Sequence, residues 1–283
     1  MPLRTELISS FQDIAARYPC IFCDIWGVMH NGATPYAQMG EHLTEYRKSG
    51  GFVALISNAP RPWNSVQEGL DIIGVSRDAY DIVITSGDLG IRELQKREGK
   101  KLFYIGTHHN KHFLPDSVQQ TDITDADFIY CTALWDHDQK AETIDAYKDL
   151  LEAALSRSLT FICANPDLVA EDGDRIVMCA GSIAQAYEEM GGNVFWAGKP
   201  YEPIYTLAQE RAEKRSTTTF SKKDILAIGD AIRTDIAGAV NFGIDSLMVT
   251  TGIHADIFRQ PEPDFSSKWL SKQAVQPTYL YQL

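Results

Sequence analysis

Apolar runs of strand length recur along this chain, and several stop abruptly at small or acidic residues. Cys20-Ile21-Phe22-Cys23 ends at Asp24, Phe52–Ile56 at Ser57-Asn58, Asp81–Thr85 at Ser86-Gly87, and Ile225–Ile228 at Gly229-Asp230. Runs apolar on both faces belong to buried parallel strands, whose carboxyl ends open onto the ligand crevice of an α/β sheet. Between them the spacing turns helical, over about 38–49, 64–73 and 88–98, with Gly50-Gly51 stopping the first helix. Strand alternating with helix predicts a doubly wound parallel sheet of the α/β class. Residues 1–19 carry Leu3, Leu7, Ile8, Phe11, Ile14 and Ala15 at helical spacing and read as an amphipathic helix. Asn31-Gly32 predicts a small flap after the Asp24 strand.

From Lys101 a second series begins: strands at Leu102–Gly106, Asp127–Leu134 and Thr160–Ala164, a helix over Ala141–Ser156, and a strand end at Phe195-Trp196 leading to Gly198-Lys199-Pro200. About 110 residues separate Thr85 from Gly198, and a single sheet of nine strands stands at the large end of what is found. An inserted domain is the simpler expectation, with residues 1–85 and 197–283 forming the core and 86–196 a second α/β unit. A strand over Ser246–Thr250 closes the core series. The proline-spaced tail 261–283, with Trp269, Tyr279 and Tyr281, is expected to pack on the surface of that core.

Charge narrows the partners. The 283 residues carry a formal net charge of −12, which argues against nucleic acid or an anionic membrane, since both want a basic face. An anionic substrate would need local positive charge, which a divalent metal supplies. No run approaches membrane-spanning length, and residues 1–19 lack the apolar core of a signal peptide. The five cysteines lie mainly in apolar runs, as buried reduced thiols do. Cys20 and Cys23 form a C-x-x-C, but on a strand that spacing puts them on opposite faces, against a redox pair. The expectation is a cytoplasmic protein.

The chemistry-bearing residues gather at strand ends. Asp24, Ser57, Lys199 and Gly229-Asp230 close four runs, and in one parallel sheet all four would face the same crevice. Two carboxylates, a hydroxyl and an ammonium suit phosphoryl transfer around one hard cation, and magnesium takes one or two carboxylates, waters and a substrate phosphate. Taken singly, each residue has a plainer reading: Asp24 as a turn cap, Ser57 and Asn58 as a helix-cap pair, Lys199 as a solvated lysine, and Asp235 as a carboxylate complementing a helix dipole. Order and spacing together are harder to obtain by chance.

Those motifs (Asp24-Ile25-Trp26-Gly27-Val28, Ile56-Ser57-Asn58, Gly198-Lys199-Pro200, and Gly229-Asp230 through Thr234-Asp235) resemble the haloacid dehalogenase superfamily, in its NagD-like branch with a type-two cap. The resemblance covers essentially the whole chain; Asn165-Pro166-Asp167 resembles a turn of such caps. It implies a Rossmann-like core with an inserted cap and a magnesium-dependent phosphatase acting on a small phosphorylated metabolite through an aspartyl-phosphate. By position, Asp24 matches the nucleophile and a metal ligand. Asp230, Asp235 and the backbone carbonyl of Trp26 match the other metal ligands. Ser57 and Asn58 match the phosphate-binding loop, and Lys199 the cation that steadies nucleophile and phosphate. The resemblance also implies a homodimer through the cap.

One position departs from the pattern. Trp26 stands where the family's phosphatases usually carry a second aspartate, the acid for the leaving group and the base for water. Indole is a donor that does not titrate, and losing a positioned general acid costs about 10²–10⁴-fold. Three outcomes fit. The enzyme acts on good leaving groups such as acyl or aryl phosphates. Or it recruits another group, His30, Asp167 or His137 being candidates. Or it binds a phosphate ligand without turning it over. His30 has the plainer reading of a surface hydrogen-bonding residue. His108, His109 and His112 lack the partner carboxylates of a metal site and read as loop residues. A metal-free dehalogenase would leave Asp230 and Asp235 without a role.

Overall fold

The computed structural model describes residues 5–138, 143–172, 175–260 and 265–283. Strands β1 (Glu6–Ile8), β2 (Cys20–Asp24), β3 (Phe52–Ser57) and β4 (Ile82–Thr85) open the chain. Then come β5 (Lys101–Ile105), β6 (Gln119–Gln120), β7 (Phe128–Cys131), β8 (Thr160–Cys163), β9 (Val169–Asp172), β10 (Arg175–Met178) and β11 (Val194–Trp196). The series ends with β12 (Ile225–Gly229), β13 (Asp245–Val249) and β14 (Tyr279–Tyr281). Two compact units result: Met1–Ser57 with Asn64–Ile84 and Lys199–Leu283, and Asn58–Trp63 with Thr85–Gly198.

The first unit is built on a seven-stranded sheet in the order β1-β14-β13-β12-β2-β3-β4. The pairs from β1 through to β3 are all parallel. The central strands β2, β3 and β12 are buried along their length apart from their last polar residues. That is why they read as unbroken apolar runs rather than alternating ones. The helix Ala37–Lys48 buries Met39, Leu43 and Tyr46, a one-face spacing. Tyr46 Oη donates to the Tyr18 carbonyl at 2.7 Å. Pro203 sits in the first turn of the helix Glu202–Ser216, where its missing N–H costs nothing.

Three expectations are corrected here. Residues 1–19 are not one helix: β1 comes first, and Ser10 caps a short helix, Phe11–Ala15, by accepting from the Asp13 N–H. The tail is not laid on the surface of a finished core, because its β14 sits inside the sheet between β1 and β13. Both strands have three residues, too short for a periodic signal, and their pairing (Leu7 opposite Leu280) joins the chain's two ends. The third correction concerns Lys199. The strand preceding it, β11, pairs with β8 in the other sheet, so Lys199 does not close a strand of the sheet that carries Asp24.

The second unit has a five-stranded parallel sheet, β11-β8-β7-β5-β6, and a two-stranded antiparallel arm, β9-β10. Leu94, Leu102, Phe128, Tyr130, Ile162 and Ala164 pack together in its core. The helix expected from Ala141 starts at Lys148, after a single 3-10 turn at Asp145–Tyr147; Ala141 and Glu142 lie outside the described residues. Tyr147, in that turn, is buried: its ring stacks on Trp135 at 4.7 Å and its hydroxyl accepts from the Trp135 N–H. No helix among the described residues is long and apolar enough to cross a membrane.

Candidate active site

β2 lies between β12 and β3, with Cys23 opposite Ile228 and Asp24 opposite Ile56. Neighbouring parallel strands run about 4.8 Å apart, so Asp24, Ser57 and the Gly229-Asp230 step emerge side by side. After Ala231 the chain makes a wide π-helical turn, Ile232–Ile236, in which the Ile236 N–H reaches back five residues to the Ala231 carbonyl. That turn returns the Asp235 side chain to its own strand end, where Asp235 Oδ2 accepts from the Ala231 N–H at 3.1 Å. Carboxylate oxygens of Asp24, Asp230 and Asp235 lie within 4.8 Å of one another. Among the described residues this is the one group with metal-ligand spacing.

Lys199 is the cation of this cluster. Its Nζ is 2.5 Å from Asp24 Oδ1 and 2.7 Å from Asp235 Oδ1, and the lysine is 4% exposed. The plain readings of a surface lysine and of a helix-dipole aspartate are therefore both set aside. Asp24 Oδ1 also accepts from the Ile25 N–H at 2.7 Å. With two donors on Oδ1, Oδ2 is the oxygen left for chemistry.

The electrostatics follow from the count. Three carboxylates against one ammonium leave an excess of two negative charges in a nearly water-free place. Burial, then the neighbouring Asp235, pushes the Asp24 carboxyl well above its ordinary value despite Lys199. Burial and Asp235 push Asp230 up to about 7. Burial alone would lower Lys199, but Asp235 and Asp24 carry it well above the usual lysine value. Hard oxygen donors, buried and in unbalanced negative excess, fit a divalent cation.

Two glycines make room for Asp230. Gly27 (φ +80°) and Gly252 (φ +71°) have backbones that side chains rarely adopt, and a Cβ on either would fall within 2.3 Å of Asp230 Oδ2. The loop after β13 completes the support: the Ile253 N–H donates to Asp230 Oδ2 at 2.7 Å, and Thr251 Oγ1 donates to the Gly27 carbonyl at 2.6 Å. Thr251, Gly252 and Ile253 were not singled out in the sequence. The one available signal was another strand running into Thr250-Thr251-Gly252.

Trp26 stands two residues beyond Asp24, and it is 46% exposed. Its ring lies against Gly32, where a Cβ would meet Cη2 at 2.4 Å, and edge-on to His30 at 5.2 Å. The Asn31-Gly32 flap is present, held by bridges from His30 to Trp26 and to Pro35. His30 is not the surface residue expected: it is 5% exposed, and its Nδ1 accepts from the Gly32 N–H at 2.8 Å. Burial lowers its pKa, because the charged imidazolium is the form that suffers from desolvation.

Ser57 closes β3. Asn58, the next residue, is buried, its Nδ2 donating to Asp167 Oδ1 at 2.9 Å and its Oδ1 accepting from Ser86 Oγ at 3.4 Å. Asp167, offered as an acid, is thus a partner of Asn58. His137 stacks on Trp135 at 5.7 Å, and His108 and His112 are exposed with rings 5.0 Å apart.

Comparison with known proteins agrees with this geometry. A model of haloacid dehalogenase-like hydrolases matches residues 21–117, and a HAD-hydrolase-like model matches residues 196–281. A haloacid dehalogenase-like family hydrolase from Brucella suis 1330 superposes with a TM-score of 0.80 at 39% identity, over 88% of this chain and 95% of the other. Ribonucleotide monophosphatase NagD of Escherichia coli (strain K12) is 24% identical over 261 residues, 88% of this chain and 94% of that protein. The glycerol phosphate phosphatase Rv1692 of Mycobacterium tuberculosis, solved in complex with calcium, has a TM-score of 0.65 at 23% identity, over 94% and 74% of the two chains. With its acidic cluster, its lysine and a relative 39% identical over 88% of its length, the chain belongs to the haloacid dehalogenase-like hydrolases.

Proposed function

We propose that this chain is a magnesium-dependent phosphatase that acts on a small phosphorylated metabolite, with Asp24 as the nucleophile. The observation that supports this best is the Asp24–Lys199–Asp235 arrangement, with Asp230 alongside. Asp24, Asp230, Asp235 and the Trp26 carbonyl would hold the cation. When bound, Mg²⁺ would supply positive charge that neutralises the carboxylates and polarises the phosphoryl oxygens. Related phosphatases carry the names of nucleotide and glycerol phosphate substrates, and one of them was solved with a divalent ion, calcium.

In this reading Asp24 Oδ2 attacks phosphorus, the bond to the leaving oxygen breaks, and an aspartyl-phosphate forms on Asp24. Lys199 and the Ile25 N–H hold Oδ1, which orients the carboxylate and offsets charge as the phosphoryl group transfers. Ser57 and Asn58 take phosphoryl oxygens, while the Asn58 side-chain amide is engaged at both ends, with Asp167 and Ser86. Water then attacks the phosphoryl group and frees Asp24. Trp26 supplies no proton, so the leaving group departs as its anion. The favoured substrates are therefore phosphates of acidic alcohols, phenols or carboxylic acids. A cytoplasmic setting suits five cysteines that are all buried and free.

The test is hydrolysis of p-nitrophenyl phosphate and acetyl phosphate with and without magnesium, in wild type and Asp24→Asn. Magnesium-dependent turnover that Asp24→Asn abolishes is the expected result. A second reading, a phosphate-ligand binder without turnover, draws its support from Trp26. It prevails if neither phosphate is hydrolysed while inorganic phosphate with magnesium still raises the Tm.

A further inference from the structure

Beside the β1-β14-β13 side of the first sheet is a cavity of about 680 Å³, within the size range of small-molecule sites, about 300–1,000 Å³. Residues that follow β13 and β14 wall it on one side, and the helix Phe265–Ser271 on another. None of Asp24, Lys199, Asp230 and Asp235 lines it, so it is a place separate from the acidic cluster. Its apolar part is Phe258, Leu270 and Leu280, which pack with Met248 in the core. Three hydroxyls in the wall already give their protons to the protein. Thr5 Oγ1 donates to the Pro277 carbonyl at 2.9 Å, Thr251 Oγ1 to that of Gly27 at 2.6 Å, and Ser271 Oγ to that of Lys268 at 2.8 Å. Such a hydroxyl has only lone pairs left to offer, so an occupant must meet it with donors. Thr250 Oγ1 accepts from the Leu283 N–H at 3.3 Å and keeps its own proton to give. Gln276 and Gln282 add amides that both give and take.

Arg259 is the one charged side chain in this lining. Its contact with Asp256, 3.6 Å between two exposed side chains, is longer than a hydrogen bond. The forked guanidinium therefore keeps donors for a carboxylate or a phosphate. Hydroxyls that donate, a C–H surface that lies on apolar side chains, and one anion together describe a sugar or polyol derivative. The wall also reaches the metal ligands through Thr251. Its hydroxyl holds the Gly27 carbonyl, and the next two residues, Gly252 and Ile253, make room for Asp230 and donate to it. An occupant resting on Thr250 and Thr251 fixes that loop in the form that supports Asp230.

We propose that this cavity is an effector site for a small polyhydroxylated anion, a sugar acid or a sugar phosphate, whose binding tightens magnesium binding at the acidic cluster. The coupling rests on Asp230 being a metal ligand; the site itself does not depend on catalysis.

The experiment is calorimetric titration of the full chain with glucose, gluconate and glucose 6-phosphate, the last with Asp24→Asn so that it is not hydrolysed. At least one of the two anions should bind ~10-fold or more tighter than glucose, as expected for a charged hydrogen bond, and the tighter one identifies the anionic group. Arg259→Ala should remove that advantage, and Ser271→Trp, which fills the cavity, should abolish binding. Both positions are exposed, and an unchanged Tm checks that the variants are folded. At equal free magnesium, saturating gluconate should tighten magnesium binding to the wild type ~5-fold or more, and magnesium should tighten gluconate binding by the same factor. If neither anion binds saturably, or if both variants bind them as wild type does, the proposal falls. Saturable binding with an unchanged magnesium affinity overturns the effector role. Hydrolysis of p-nitrophenyl phosphate separates this from the phosphatase reading. Binding and coupling without turnover leave the anion site standing and remove the enzyme; turnover without binding does the reverse.

Discussion

At the scale of single residues, the chemistry depends on side chains that could not stay charged and buried alone. Asp24 and Asp235 share one lysine, and Asp230 leans on backbone donors. Gly252 makes that backbone support possible. Gly252→Ala would put a methyl group 1.8 Å from Asp230 Oδ2 on a left-handed backbone, so Asp230 must move. Magnesium affinity should fall ~10- to 100-fold, as when supports of metal ligands are removed; calorimetric titration with MgCl₂ checks it, and an unchanged affinity would show that Asp230 is not a ligand. In the proposed mechanism Trp26 sets which leaving groups are tolerated. Trp26→Asp restores a titratable group at that place and should raise release of phosphate from alkyl esters by ~10-fold or more. A variant no better than wild type on those esters would mean that proton transfer is not what limits them.

At the scale of elements, two strand ends and a π-turn do most of the positioning, and one carboxylate secures the β3 side of the sheet. Asp81 Oδ2 accepts from the Val53 N–H at 2.8 Å and from Arg47 Nε at 3.0 Å, while Arg47 Nη2 meets Asp81 Oδ1 at 2.5 Å. Asp81 therefore ties β3 to the end of the helix Ala37–Lys48. Asp81→Ala leaves the Val53 N–H and Arg47 without this partner. Urea unfolding should show a loss of ~1–3 kcal/mol, nearer the lower end because both side chains are partly exposed to solvent. A loss indistinguishable from zero would show that water replaces the carboxylate without cost.

At the scale of the whole molecule, closing the first sheet brings β1 and β14 together, and near them a histidine whose pKa burial lowers. His42 stacks on Phe11 with ring centroids 5.0 Å apart, and its Nε2 is 2.9 Å from Tyr281 Oη. Burial lowers its pKa from the ordinary value, only partly opposed by Glu45 and Glu41. The folded state then binds fewer protons than the unfolded state in the window between the lowered value and ~6.5. The contribution of His42 to stability should rise with pH across that window and be lost as the solution is acidified through it. His30 and His254 are lowered by burial too and act in the same direction. Asp24 and Asp230, raised by burial, act in the opposite direction, so the effect of His42 is read as a difference: from pH 7 to 5 the urea midpoint of wild type should fall more, or rise less, than that of His42→Gln. An identical slope in the variant would remove His42 from the explanation.

The apolar runs by themselves determined that the fold is α/β, where β2, β3 and β12 lie, and that Asp24, Ser57 and Asp230 close them, because a strand buried on both faces must be apolar throughout and can turn polar only where it ends. Trp26, at a position where the resembled family usually carries an acid, was equally visible, since it depends on residue type and position alone. The three-residue strands β1 and β14, and the place of the tail inside the sheet, were decided by pairing between residues some 270 positions apart, which no local period records. Only the tertiary structure decided that Lys199 leaves a strand of one sheet to neutralise carboxylates on another. It also decided that Asp235 is an ion-pair partner rather than a dipole cap, and that Gly252 clears space for Asp230. Each of these depends on the distance between charges and on how much water is left around them, and the chain acquires both only when it folds.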